Sequence, residues 1–211
     1  TGRHLIVLAK NKTGYKNLIK LVSQAWTDGF YSHPRTDKSA LAAHREGLIV
    51  ASACIGGEIP RLLIAGEDAE AERQARWFKG IFGDDYYIEI QRHKATVPRA
   101  NHETFEIQQQ VNPKLIALAR KLDIKIIATN DVHFVDEKDA EAHDRLICLS
   151  TGKYLADESR MLYSKQEWMK TSDEMSAIFN DIPEALENTL EILDKVEAYD
   201  IDHGPIMPNF D

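Results

Sequence analysis

Cysteine is nearly absent from this chain. Cys54 and Cys148 are the only two, too few for a disulfide framework, so a reducing compartment such as the cytoplasm is expected. Long apolar runs are missing as well. No stretch approaches the roughly 18 residues that a membrane helix needs, and no signal-peptide pattern is visible, so no membrane partner is expected. Positive charge is in deficit: 26 Lys and Arg stand against 34 Asp and Glu, for a formal charge of −8. A chain of that sign does not grip a phosphate backbone by bulk electrostatics, so any nucleic-acid contact has to be local or made by another part of a larger protein. There is no internal repeat and no low-complexity tract. The chain also lacks an initiator Met, opens almost at once on a strand-like run, and closes on a loop-like stretch from Gly204 to Asp211. A strand needs neighbours to be stable, so the expectation is a piece of a longer polypeptide.

What is present is an ordinary globular composition, 43% hydrophobic and 28% charged over 211 residues, enough to bury a core. Four apolar or β-branched runs, 4–9, 48–52, 86–90 and 124–128, read as strands. Helical patterns lie between them. Thr13 is a candidate cap for a helix carrying Leu18, Ile19, Leu21 and Val22. Residues 68–79 are Ala- and charge-rich between Gly66 and Gly83, and 112–122 repeat apolar residues at helical spacing. Strands alternating with helices predict an α/β fold with a mainly parallel sheet. After His133 the pattern turns helical: 138–150, 165–170, 171–179 and 183–196. Thr171 with Glu174 forms a capping box there, and Pro183 suits a first helical position.

The candidate site starts from Asp131 and His133. The apolar run Ile126–Ile127–Ala128 stops, and an Asp-x-His pair follows within a few residues. Alternation in an extended segment sends both side chains to one side, at the carboxyl end of a strand, where parallel sheets place their sites. Carboxylate and imidazole are ordinary ligands for zinc or manganese, although a helix cap and a loop histidine would leave the same trace. Cys54 follows its strand in the same way and precedes Gly56-Gly57, which suits either a phosphate site or a tight turn. A buried thiol and a nucleophile paired with His133 are its other readings. Glu89 and His93 flank the end of the third strand and are candidates to line the same mouth. His33, His44 and His203 sit in polar, turn-like surroundings. His143 and Asp144 lie on a helix, facing water. Cys148 reads as core packing. His4 opens its strand, the wrong end for such a mouth if that strand runs parallel to the others.

Several strings together carry a resemblance. They are His4–Asn11 with Thr13–Leu18, Ser52–Pro60, Tyr87–Gln91, Ala128–Phe134, and Ala142-His143-Asp144 followed by Thr151-Gly152-Lys153. In this order they resemble the polymerase-and-histidinol-phosphatase (PHP) domain at the amino end of bacterial replicative DNA polymerase III alpha subunits. The resemblance implies an incomplete PHP-type distorted (β/α)7 barrel over residues 1–150, with a helical extension over 151–211 leading toward the polymerase palm. Of the family's nine metal-ligand positions, the last four map to His4, Cys54, Asp131 and His133, and the others would lie ahead of Thr1. It further implies zinc or manganese at the PHP mouth and magnesium for the parent polymerase. The implied partners are a DNA primer-template, other replisome subunits and a separate proofreading exonuclease. The domain would act as a metal-dependent phosphoesterase resembling a 3′–5′ exonuclease, or as a scaffold. This segment alone is expected to be inactive. The alternatives are a stand-alone phosphoesterase resembling histidinol-phosphatase and a purely non-enzymatic docking module.

Overall fold

The computed structural model describes residues 2–202, 204, 205 and 207. Thr1, His203 and most of the closing stretch, 206 and 208–211, lie outside the described residues, so the reading of His203 is not addressed.

Four strands form one sheet in the order β1 (Ile6–Ala9), β2 (Leu48–Ala51), β3 (Tyr86–Ile90), β4 (Lys125–Ala128). β2, β3 and β4 are parallel, with Val50 opposite Tyr86 and Ile88 opposite Ile126. β1 departs from the parallel reading, running antiparallel to β2 with Ile6 opposite Ala51 and Ala9 opposite Leu48. The two central strands are buried throughout, as continuous apolar runs in parallel sheets are.

One face of the sheet packs on α3 (Glu58–Ile64), α4 (Asp68–Phe82) and α6 (Glu106–Lys121). There Val50, Ile88 and Ile126 meet Leu63, Phe78 and Leu115 in the main core. The other face presents Ile49, Ala51, Tyr87 and Ile127, packed by Ile192 of α9 (Glu184–Lys195). The remaining helices are α1 (Lys12–Thr27), α2 (Lys38–Ala43), the single turn α5 (Pro98–Ala100), α7 (Ala140–Thr151) and α8 (Ser172–Ile178).

Local chemistry explains most boundaries and two departures. Asn11, not Thr13, caps α1: its side-chain oxygen accepts from the Gly14 N–H at 3.0 Å. Asn11 is the last extended residue before the helix and so has the cap geometry, while Thr13 already lies in the first turn. The capping box at Thr171 and Glu174 forms as read. Residues 165–170 are not helical. Asn130 Nδ2 donates to the carbonyls of Gln166 and Trp168 at 2.9 and 2.8 Å, and the His133 N–H donates to the Glu167 carbonyl at 2.8 Å. These bonds reach across to the strip that follows β4 and hold the segment extended along it.

Candidate metal centre at the mouth of the sheet

The direction of β1 decides the site. Because β1 is antiparallel, its amino end meets the carboxyl ends of β2, β3 and β4, and His4 arrives at the mouth. The His4 N–H donates to the Gly56 carbonyl at 3.2 Å, and its Nδ1 lies 3.4 Å from Cys54 Sγ. Gly56 makes room for the ring, since a Cβ there would sit 3.0 Å from Nδ1. The Gly57 N–H is taken by the Cys54 carbonyl at 2.8 Å, and the Gly56 N–H points to Cys54 Sγ at 3.5 Å. Both amides serve the tight turn. The histidine beside Cys54 is thus His4 rather than His133. Burial pushes the Cys54 thiol above its ordinary range, the Gly56 N–H opposes this, and the charges of Asp131 and Glu89 add to it. Such a thiol is a poor free nucleophile.

Past β4, Asp131 adopts φ 46°, and past β2, Ala53 adopts φ 62°. Both are left-handed positions that L residues rarely take, and both turn the chain at the end of a strand, an arrangement that clusters at functional sites. Asp131 and His133 are exposed. His133 Nδ1 lies 2.6 Å from the Asp131 carbonyl oxygen; a carbonyl only accepts, so Nδ1 carries the hydrogen and Nε2 is the ligand-type nitrogen. His143 lies with its ring centroid 5.6 Å from that of His133. Asp144 is buried in a two-pronged pair with Arg160. Neither simply faces water: α7 packs this face against the extended 160–164 segment, which helical periodicity did not reveal.

A cleft of about 170 Å³ opens here, lined by Cys54, Gln91, His93, Asp131, Tyr163 and Glu167 among others. His93 is buried beneath it, and burial pushes its imidazole below the usual range. Glu89 is buried under the same end of β3, accepting from Thr129 Oγ1 at 2.5 Å and Gln91 Nε2 at 3.0 Å. Burial raises its carboxyl, and the Asp131 charge adds to that. Glu167 escaped the sequence reading because 165–170 looked helical, and Tyr163 lies just ahead of that stretch; no spacing rule ties either to Asp131. Glu167 Oε1 accepts from the Ser164 N–H at 3.1 Å, while its Oε2 is buried without a partner.

The donor types, imidazole, thiol and carboxylate, fit zinc or manganese, and the unpartnered Glu167 oxygen fits a cleft that takes a cation or its water. The number of donors is short. Among the described residues no three His, Cys, Asp or Glu side chains stand close enough to enclose an ion. The arrangement is two pairs, His4 with Cys54 and Asp131 with His133, at one end of the sheet. Among the described residues, no helix is long and apolar enough to cross a membrane.

Residues 1–93 match the PHP domain family. Over 98% of its length the chain is 44% identical to a DNA polymerase III subunit alpha of Borreliella burgdorferi, and over 97% it is 40% identical to that of Treponema pallidum. A third relative, from Campylobacter jejuni, is 39% identical over 98% of the chain. The chain spans 17% of the length of each of these relatives, and their identity does not favour a stand-alone phosphatase. Over residues 1–93 the chain is therefore similar to PHP domains, and nearly all of it is similar to one segment of DNA polymerase III alpha subunits.

Proposed function

We propose that this chain is the later part of a PHP barrel within a replicative DNA polymerase alpha subunit, and that its sheet mouth takes divalent metal. The observation that carries this reading is the antiparallel β1, which brings His4 to Cys54 at the end where Asp131 and His133 also stand. Residues 1–150 form the barrel portion and 151–211 the helical extension toward the palm. A (β/α)7 barrel would continue from the outer edge of β1, where Ile6 and Leu8 are each 42% exposed.

His4, Cys54, Asp131 and His133 would be part of the ligand set for zinc or manganese, with Glu89 and His93 beneath it. A metal there would polarise a phosphoryl oxygen and lower the pKa of a bound water. The chain's own part is to orient His133 through the Asp131 carbonyl, to hold Cys54 against His4, and to keep the cleft floor dry. The reaction class is phosphoester hydrolysis at a 3′ nucleotide end. Nucleotidyl transfer, with magnesium, belongs to regions of the full-length polypeptide outside this segment. The primer-template, other replisome subunits and a proofreading exonuclease are its partners in the cytoplasm. The alternative is a docking role without hydrolysis, which the test below separates from this reading.

The test uses the full-length polypeptide. After dialysis, the Asp131→Ala, His133→Ala double variant should hold at least one fewer divalent ion per chain by elemental analysis. It should also lose manganese-dependent release of mismatched 3′ nucleotides while extending primers at nearly the parental rate. Unchanged metal content in the folded double variant sinks the reading. Metal loss without any nuclease activity in the parent leaves the docking role.

A further inference from the structure

The two ring nitrogens of His133 are both committed. Nδ1 donates to the Asp131 carbonyl at 2.6 Å, which leaves Nε2 of the neutral ring with its lone pair. That lone pair accepts from the Tyr163 hydroxyl at 3.2 Å. A lone pair serves one partner at a time, and Nε2 is the nitrogen that the metal reading above requires. We propose that Tyr163 gates the metal site: its hydroxyl must leave His133 Nε2 before a divalent ion binds there, so it tunes metal affinity from outside the ligand set. This inference rests on the reading under Proposed function.

The surroundings suit a gate better than plain packing. The Tyr163 ring lies 4.7 Å from His133 and 4.9 Å from His143, centroid to centroid, so the imidazole is held in place by ring contact as well as by the hydroxyl. Tyr163 lines the cleft shared by Cys54 and Asp131, which gives the hydroxyl an open side to swing toward. Its backbone stays fixed, because the next residues are tied down by Ser164, Glu167 and Asn130. A phenol hydroxyl donates as well as accepts, so it competes directly for the Nε2 lone pair.

Tyr163→Phe removes the hydroxyl and keeps the ring. In the full-length polypeptide, zinc affinity measured by competition with a chromogenic chelator should rise about two- to tenfold, the range set by losing one neutral hydrogen bond. The same substitution made on top of His133→Ala should change nothing. If His133→Ala alone weakens zinc binding but the folded Tyr163→Phe variant binds as the parent does, or more weakly, the gate is wrong and the metal reading stands. If His133→Ala leaves zinc affinity unchanged, the metal reading of His133 fails and takes the gate with it. A second measurement needs no variant at Tyr163. Zinc added to the parent should produce a tyrosine ultraviolet difference band that His133→Ala abolishes, and absence of that band overturns the proposal.

Discussion

His93 shows how one residue can be locked in a single protonation state. Its Nε2 donates to the Asn130 carbonyl at 3.1 Å, and its Nδ1 accepts from Gln108 Nε2 at 3.1 Å. The Gln108 orientation is fixed in turn, since Gln108 Oε1 accepts from the His93 N–H at 2.8 Å. A proton on Nδ1 would face the amide donor, and His93 as a whole is only 2% exposed. Burial therefore holds the folded pKa below that of the unfolded chain, about 6.5, against the partial opposition of Glu167 and Asp131. With the folded value lower, the unfolded state binds more protons between the two values. The contribution to stability is present above about pH 6.5 and is lost as pH falls through the folded value. By nuclear magnetic resonance, the His93 ring protons should keep their neutral shifts down to pH 6.5 and move only below it. A midpoint at or above 6.5 would contradict the assignment.

At the scale of elements, the mouth depends on the turn that joins β2 to α3. Gly57 has φ −68°, which any residue adopts; the need for glycine is one of space. A Cβ at position 57 would stand 2.1 Å from the Ser52 carbonyl oxygen, and backbone cannot yield as a flexible side chain can. Gly57→Ala should force α3 away from the end of β2, disturb the His4–Cys54 pair, and destabilise the chain by about 1–3 kcal/mol, as overpacking does. The urea unfolding midpoint is the measurement, and an unchanged midpoint would show that the turn relaxes freely. Asp131 illustrates the same dependence after β4: its left-handed backbone is tolerated because Asn130 and His133 on either side are bonded to the 166–168 strip.

For the molecule as a whole, α9 closes the second face of the sheet. Asn188 Nδ2 donates to the Ile126 carbonyl at 2.8 Å, Tyr87 Oη donates to Glu191 Oε1 at 2.7 Å, and Lys195 Nζ donates to Tyr87 Oη at 2.8 Å. Burial, offset by Lys195 and reinforced by Glu191, pushes the Tyr87 phenol up to about 12, so it remains a donor to Glu191 at any working pH. Removing residues 183–202 should uncover Ile49, Ala51, Tyr87 and Ile127 together. The expected outcome is loss of a single cooperative unfolding transition and binding of a hydrophobic dye. A truncated chain that melts cooperatively without dye binding would make α9 an appendage.

The sequence by itself determined the parts whose signal is local. Continuous apolar runs gave β2, β3 and β4 within a residue or two of their ends; the Thr171–Glu174 box gave the start of α8, and glycines bracketed α4. The positions of Cys54 and Asp131 just past strand ends were also legible, because a change from apolar run to polar residue is written along the chain. What only the tertiary structure decided is pairing across distance. The direction of β1 is set by its register with β2, 39 residues onward at the Ala9–Leu48 end and 45 at the Ile6–Ala51 end, and no local pattern encodes it; yet that direction alone moves His4 from the wrong end of the sheet to the mouth. The extended course of 165–170 likewise goes with hydrogen bonds to Asn130 and His133, partners more than thirty residues away that no local helical pattern takes into account.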